Sequence, residues 1–174
     1  KQFLEPFTSM NPFHCVPFLE LDDGTVISES ISICRYLEEI YPNPALFGTT
    51  AETRAIIDMW LRRFELDGFL PMLHAVRNHL ENFKGRVIPG TRTDLPQVPQ
   101  MVTRGIEMGK MFLERVEPHM VENEFVAGSR FSVADITAFF TIKLTTPLKI
   151  DINASYPGVA AWMDRMSKRE AFNI

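Results

Sequence analysis

The sequence predicts a chain of two unequal parts, a short mixed α/β unit followed by an all-helical unit. Short apolar runs suited to strands occur only near the N-terminus. Two prolines and a glycine then interrupt the chain at Tyr41–Gly48, and every long apolar pattern after this break has helical spacing. We therefore expect one domain over residues 1–44 and a second over residues 45–174.

Composition argues against several classes of function. The 174 residues are 45% hydrophobic and 23% charged, which is typical of a globular chain with a sizeable core. A net charge of −4 and the lack of a basic run predict no nucleic-acid partner and no membrane partner. No apolar stretch approaches the roughly 20 residues that span a bilayer. No signal peptide is recognisable, although the chain begins at Lys1. Cys15 and Cys34 match neither a disulfide framework nor a zinc site, so we expect a reducing cytoplasm and no metal.

The small unit is predicted to hold a hairpin and a helix. VPFLEL at residues 16–21 and TVI at residues 25–27 are strand candidates, joined by the turn DDG. A helical period then runs from Ser30 to Tyr41. We expect one side of this helix to face the sheet and a second side to stay partly uncovered. The first side carries Ile31, Cys34 and Leu37, and the second carries Ile33, Tyr36 and Ile40.

The helical unit is predicted to open with a long amphipathic helix. TTAE at Thr49–Glu52 fits a capping box, in which a threonine is followed three residues later by a glutamate. The run that follows has apolar residues at helical spacing and predicts one broad buried stripe. Gly68 and Pro71 are expected to bend or interrupt it.

Three more helices are predicted after a loop. The loop spans Lys84–Pro96, which contains two glycines and two prolines. The next helix covers about residues 97–121, and a third begins at SVAD, residues 132–135. The last helix begins near Pro157, since proline suits the first helical position. The buried side of the helix over residues 97–121 is expected to carry Met101, Met108, Phe112 and Val116.

The segment FSVADI carries the sharpest folding signal. Ser132 is placed as an N-cap, with Asp135 three residues later and Phe131 before the cap, able to contact Ile136. Asp135 has two interpretations, a catalytic carboxylate or a buried cap that starts a core helix. We favour the cap.

Two features beside the predicted hairpin allow either a structural or a functional interpretation. Pro17 has no N–H group to donate to a β-ladder at the start of a strand, which suits an edge strand. Alternatively, Pro17 is a cis-proline that turns the backbone of Val16 outward, where it can pair with a peptide ligand. Glu29 and Ser30 could be a solvated acid and a helix cap. Alternatively, the helix N-terminus and the Ser30 hydroxyl could bind a carboxylate while Glu29 accepts an ammonium group. A γ-glutamyl group presents that pair of charges.

Two segments resemble a known family. NPFHCVPFLELDDGTVISESISICRYLEEIYP, at residues 11–42, resembles the second half of the thioredoxin-like domain of the cytosolic glutathione transferases. These proteins carry Asn-Pro-x-Gly-x-Val-Pro, two strands, and Glu/Gln-Ser at the start of a helix. FVAGSRFSVADI, at residues 125–136, resembles the capping-box motif of their helical C-terminal domain. The resemblance covers essentially the whole chain and is nearest to bacterial members. It implies a partial thioredoxin-like domain followed by an all-α helical bundle, the glutathione transferase fold.

The resemblance also implies roles for four residues in binding glutathione. Pro17 would be the cis-proline, and Val16 would offer its backbone N–H and C=O to the cysteinyl part. Glu29 and Ser30 would hold the γ-glutamyl end. His14 departs from the pattern, because it replaces a glycine at a position that favours a positive φ, and histidine tolerates such a φ less well than glycine does. Its ring could instead point at the ligand, and Cys15 could be either a reactive thiol or a packed side chain.

A second departure concerns the family's first strand, helix and strand. These should precede Asn11, where only ten residues stand, whereas a βαβ unit needs about 30. The family's sulfur-activating Ser, Tyr or Cys belongs to that part, so we expect it upstream of Lys1 and assign no catalytic residue in this chain. The alternative is a protein that lacks the usual catalytic apparatus.

The implied activity is transfer of the glutathione thiolate to a small hydrophobic electrophile, as in detoxification. Glutathione would be a co-substrate, with no other cofactor, and two subunits would form a homodimer. The electrophile pocket is expected around Arg62–Asn78, where Met59, Phe69 and Met72 are either pocket walls or core. Two alternatives stay open: a glutathione-transferase-like assembly module without catalysis, and a glutathione-dependent reductase or peroxidase.

Overall fold

The structure is a computed structural model, and it describes residues 1–172. The N-terminal part contains α1 (Phe7–Met10), β1 (Phe18–Glu20), β2 (Val26–Ser28) and α2 (Ser30–Ile40). The remainder is helical and contains α3 (Ala51–Arg63), α4 (Leu70–His79), α5 (Pro99–Glu122), α6 (Val133–Lys143), α7 (Ile152–Ser155) and α8 (Pro157–Ser167). A π-helical turn over Phe64–Phe69 joins α3 to α4, and 3-10 turns lie at Glu81–Phe83 and Glu170–Phe172. The predicted fold class is therefore confirmed, while the exact domain boundary after residue 44 stays a prediction.

The predicted hairpin is present. Strands β1 and β2 pair antiparallel, with Phe18 opposite Ser28 and Glu20 opposite Val26. The turn places Gly24 at φ +83°, where a side chain would be strained. The hairpin and α2 form a small layer. Among residues 1–44, Asn11 is the one buried residue. This unit therefore depends on other contacts for its stability.

The predicted orientation of α2 is wrong in part. Cys34 and Leu37 were expected to face the sheet, but both are exposed. Ile33 and Tyr36, expected on the uncovered side, are half-buried, whereas Ile40 is 48% exposed. Helical spacing identifies residues that share a side, but it does not decide which side another element covers.

The side of α2 that carries Ile31, Arg35 and Glu38 attaches the small unit to the helical one, so Ile31 does not share the exposure of Cys34 and Leu37. Ile31 packs against the main hydrophobic core. Arg35 forms an ion pair of 3.1 Å with Asp58 of α3. The Glu38 carboxylate accepts hydrogen bonds from the backbone N–H groups of Leu46 and Phe47, at 2.6 and 3.0 Å. These polar contacts require α2 and the linker to fold together.

The capping box of α3 lies one residue later than predicted. Thr50 is the N-cap, and its hydroxyl accepts from the Thr53 N–H at 3.1 Å while the Thr53 hydroxyl accepts from the Thr50 N–H at 3.0 Å. Thr49 and Glu52 do not form the box. A threonine can replace the usual glutamate at the third position because its hydroxyl reaches the same N–H group.

The interruption expected near Gly68 and Pro71 is the π-helical turn between α3 and α4. Gly68 lies in this turn against the Phe112 ring. A Cβ atom added there would lie 2.7 Å from a ring carbon, so the close approach of the turn to α5 requires glycine.

The buried side of α5 differs from the predicted one. Phe112 and Val116 are buried as expected, but Met101 and Met108 are 39% and 42% exposed. Two glycines, Gly105 and Gly109, occupy the buried side instead. They allow α4 and α5 to approach closely, which leaves the two methionines on the outer surface.

The cap of α6 is as predicted. Asp135 is completely buried, and its carboxylate accepts from the N–H groups of Val126 and Ser132 at 2.7 and 2.8 Å and from the Ser132 hydroxyl at 3.0 Å. Burial raises the pKa of the Asp135 carboxyl, and these hydrogen bonds act in the opposite direction. The last helix begins at Pro157, where the Glu117 carboxylate accepts from the Gly158 and Val159 N–H groups at 2.6 and 2.8 Å.

Candidate functional site

Glu29 lies at the junction of β2 and α2 with a backbone conformation that is rare for a residue with a side chain. Its φ is +69° and its ψ is 120°. Such a conformation costs free energy and persists where the surrounding structure fixes it, often at a binding site. The Glu29 side chain is exposed and makes no capping hydrogen bond to α2. Its carboxylate is therefore free to meet a ligand.

The N-terminus of α2 is open to an anion. Ser30 is the first residue of the helix and is exposed. Among residues 1–172, no side chain caps this end, so the N–H groups of the first turn lack the partner that a cap would supply. Free N–H groups and the positive end of the helix dipole favour a carboxylate at this place.

Val16 presents its backbone close to this helix end. The Val16–Pro17 peptide bond is cis, as expected, and Val16 is 64% exposed. Within residues 1–172, its N–H and C=O groups form no hydrogen bond. Asn11 supports this loop from inside, since its side chain donates to the Cys15 carbonyl at 2.8 Å and accepts from the Phe13 N–H at 3.2 Å. An extended peptide could therefore add to Val16 as a strand does.

His14 has a positive φ of 52°, the conformation that its place in the motif suggested. Its carbonyl accepts from the Gln2 side chain at 2.7 Å, and its ring lies 5.1 Å from the Phe3 ring. Cys15 is half-buried beside the loop of residues 84–98. Gly90 of that loop packs so closely that an added Cβ would lie 2.8 Å from the Cys15 sulfur.

Two clefts meet at Glu29. One, which we call the charged cleft, has a volume of about 380 Å³ and lies between the start of α2 and the segment from Asp58 to Glu65. The other, the loop cleft, has a volume of about 580 Å³ and lies between the N-terminal loop and residues 88–92. The charged cleft is lined by Glu29, Ser30, Ile31, Ser32, Arg35, Asp58, Leu61, Arg62 and Glu65. The loop cleft is lined by Phe3, Pro12, Phe13, His14, Cys15, Glu29, Ile88, Pro89, Gly90, Thr91 and Arg92.

The three residues offered as pocket walls do not line either cleft. Met72 is completely buried and its side chain packs against Gly109 of α5, so it belongs to the core. Met59 is 39% exposed and Phe69 is half-buried, and both lie outside these clefts. Arg62 and Glu65, which belong to the expected segment Arg62–Asn78, do line the charged cleft. The loop of residues 88–92 was not expected at the site, because nothing in the sequence indicated that it lies close to Glu29.

The described part of the chain offers neither a cluster of metal-binding side chains nor a membrane-spanning helix. Within residues 1–172, no three His, Cys, Asp or Glu side chains are grouped closely enough to hold a metal ion. None of the helices in the described part of the chain combines the length and the apolar character needed to cross a membrane.

Comparison with known proteins identifies the family. The model of the glutathione S-transferase N-terminal domain matches residues 2–40, and that of the C-terminal domain matches residues 105–170. A solved glutathione S-transferase domain-containing protein from Marinobacter aquaeolei is 31% identical, with a TM-score of 0.82 over 98% of this chain and 80% of that one. The chain belongs to the glutathione S-transferase family.

Relatives of this chain carry names that refer to more than one reaction. Glutathione S-transferase 1 of Manduca sexta is 29% identical over 97% of this chain and 71% of its own length. The protein named maleylacetoacetate isomerase in Rattus norvegicus is 26% identical over 100% of this chain and 73% of its own length. Family membership therefore supports a glutathione S-transferase in general, but it does not identify the individual reaction.

Proposed function

We propose that this protein is a glutathione transferase that joins the thiolate of glutathione to a small hydrophobic electrophile. The observation that carries this proposal is the position of Glu29 and Ser30, which stand together at an uncapped helix N-terminus. Beside them, the backbone of Val16 forms no hydrogen bond within residues 1–172. An assembly module without catalysis has no use for such a group of free polar atoms. This contrast is the reason for preferring an enzyme.

Glutathione would bind along the edge that these residues form. Its γ-glutamyl carboxylate would accept hydrogen bonds from the Ser30 hydroxyl and from the first N–H groups of α2. Its ammonium group would approach the Glu29 carboxylate. Its cysteinyl part would pair with the N–H and C=O of Val16, in the position that the Pro17 cis bond defines. No metal or nucleotide takes part in this arrangement.

The electrophile would occupy the loop cleft. This cleft shares Glu29 with the charged cleft, and Phe3, Phe13 and Ile88 supply apolar surface. His14, Glu29 and Arg92 add polar groups to this surface, and apolar walls combined with a small number of polar groups are typical of a small-molecule site. This position differs from the one expected around Arg62–Asn78, where a smaller cleft of about 250 Å³ is lined by Leu66, Leu70 and His74 among others.

The reaction needs a base that takes the proton of the glutathione thiol. The thiolate then forms a carbon–sulfur bond, and the electrophile loses a leaving group or accepts the sulfur at a polarised double bond. We propose that a Ser, Tyr or Cys activates the thiol, and we assign that role to none of the residues of this chain. A Cys in that role would favour the reductase or peroxidase alternative. We also propose a cytoplasmic location, since free Cys15 and Cys34 suit a reducing compartment.

Replacing Glu29 or Ser30 with alanine is expected to weaken glutathione binding, by about 1–3 kcal/mol for each lost charge-assisted hydrogen bond. Titration calorimetry measures the effect, in protein that includes any sequence encoded upstream of Lys1. Glu39→Ala is the matched control, because Glu39 is exposed on the same helix and lines neither cleft. Unchanged affinity in both Glu29→Ala and Ser30→Ala would remove these residues from the site.

The protein is proposed to form a homodimer. Ile40 is 48% exposed, and α3 exposes Ile56 and Met59 at 36% and 39%. Large apolar side chains exposed on both α2 and α3 suit an interface, and a two-fold dimer is the commonest way of covering them. Light scattering at micromolar concentration is expected to give twice the subunit mass, and Met59→Glu is expected to lower it. A single subunit mass for the unmodified protein would contradict the proposal.

A further inference from the structure

Two nitrogen-bearing side chains, those of His14 and Arg92, lie next to Phe3 in the wall of the loop cleft. The Arg92 guanidinium lies 4.3 Å from the centre of the Phe3 ring. The ring centres of His14 and Phe3 are 5.1 Å apart. His14 stands where the family motif has glycine, so its imidazole is an addition that the motif does not supply. These three side chains form one cluster in the cleft.

Both nitrogen-bearing groups of this cluster are available to a ligand. Within residues 1–172, Arg92 forms no ion pair, and the hydrogen bond of His14 to a side chain uses its carbonyl and not its ring. A guanidinium that lies over an aromatic ring keeps its N–H donors in its own plane, so the contact with Phe3 leaves them free. The imidazole of His14 offers a further N–H donor.

The charge of the loop cleft favours an anion once glutathione is bound. Of the described residues, Glu29 is the only acid that lines this cleft. In the proposed function its carboxylate meets the ammonium group of glutathione, which leaves Arg92 without a counter-charge in the cleft. Phe13 and Ile88 supply apolar surface beside it. The cleft is therefore complementary to a molecule that combines an apolar body with a negative charge.

The loop that carries Arg92 is held in place at its base and at its tip. At the base, the Gln97 side chain donates to the Leu80 carbonyl at 2.8 Å. At the tip, Gly90 packs against the Phe13 carbonyl so closely that a side chain at this position has no room. These contacts fix the position of Arg92 relative to the small unit, as a specific binding group requires.

We propose that the electrophile carries a carboxylate, which Arg92 and His14 bind beside Phe3 in the loop cleft. This inference rests on the proposed function and narrows its substrate class. The carboxylate would accept paired N–H bonds from the Arg92 guanidinium, while the apolar body of the electrophile lies against Phe13 and Ile88. Arg92 and His14 would select the electrophile and take no part in forming the carbon–sulfur bond.

Two conjugates of glutathione that differ by one charge test the inference. S-(4-carboxybenzyl)glutathione and S-(4-carbamoylbenzyl)glutathione form when the glutathione sulfur displaces chloride from 4-(chloromethyl)benzoate and 4-(chloromethyl)benzamide and the thiol proton is released. They place a carboxylate and a neutral amide of similar shape at the same position. Titration calorimetry measures both affinities without turnover, in protein that includes any sequence encoded upstream of Lys1. The carboxylate conjugate is expected to bind about 10-fold more tightly, the gain typical of a hydrogen bond to a charged group.

Arg92→Gln is expected to abolish this preference and to leave the affinity for the carbamoyl conjugate unchanged. His14→Gly is expected to reduce the preference in part, and the variant should fold because glycine suits the positive φ of 52°. Lys84→Gln is the matched control, because it removes one positive charge from the same loop. Lys84 pairs with Glu81 at 2.6 Å and lies outside the loop cleft. Its variant should show the preference of the unmodified protein.

Two results would overturn the inference while the proposed function stands. One is an unmodified protein that binds glutathione but binds the two conjugates equally or binds neither. The other is an equal loss of preference in Lys84→Gln and Arg92→Gln, which would show that the overall charge of the loop acts and not Arg92 in the cleft. If the unmodified protein binds no glutathione, the proposed function and the inference both fail.

Discussion

Replacing Asp135 with alanine is expected to lower the free energy of unfolding by about 3–5 kcal/mol, because two buried backbone N–H groups lose their acceptor. Those groups belong to Val126 and Ser132, and the carboxylate that they share is completely buried. For a chain of this length, such a loss lowers Tm by roughly 10 °C or more. Urea denaturation followed by the fluorescence of buried Trp162 measures it.

Asp151→Ala is the control for this prediction. Asp151 caps the short helix α7 and accepts from the Ala154 N–H at 3.1 Å, but it is exposed. Its loss is expected to cost about 0.5–1 kcal/mol, as for an ordinary surface cap. If Asp135→Ala melts like the unmodified protein and yet loses activity, Asp135 is catalytic and its structural interpretation is wrong.

Gly105→Val is expected to lower the free energy of unfolding by about 3 kcal/mol, because a side chain here would separate α4 from α5. A Cβ atom at this position would lie 2.5 Å from the Pro71 carbonyl oxygen and 2.8 Å from the Ala75 Cβ. A backbone oxygen within a helix cannot move away unless the whole helix moves. Thermal unfolding followed by circular dichroism measures the change.

Gly109→Ala tests the reason for that effect. A Cβ atom on Gly109 would lie 2.7 Å from the Met72 Cγ, which belongs to a flexible side chain. The cost is therefore expected to be smaller, and the higher helix propensity of alanine offsets part of it. Equal stability of Gly105→Val and the unmodified protein would contradict the close packing of α4 on α5.

The proposed site depends on both parts of the chain. Glu29, Ser30 and Val16 come from the small unit, which has almost no buried residues of its own. Arg62 and the loop of residues 88–92 come from the helical unit and form the opposite walls. The contacts of Glu38 with Leu46 and Phe47 hold these walls together. Substitutions at this junction should therefore affect ligand binding as well as stability.

Local signals in the sequence determined much of the backbone. The hairpin before Ser30 and the cap of Ser132 with Asp135 were predicted correctly, since each depends on residues at most a few positions apart. The positive φ of His14 followed from its place in a recognised motif. The four residues assigned to glutathione also came from sequence, and their binding roles stay predictions.

Only the tertiary structure decided which sides of the helices are buried and which segments meet at the clefts. On α5, helical spacing grouped Met101 and Met108 with the core, but close contact with α4 selected Gly105 and Gly109 instead. On α2, the linker and α3 cover a side that apolar spacing did not indicate. Arg62 lines the same cleft as Glu29 because Ile31 and the Arg35–Asp58 ion pair attach α2 to the helical unit. Periodicity describes one element at a time, whereas burial and binding sites depend on pairs of elements.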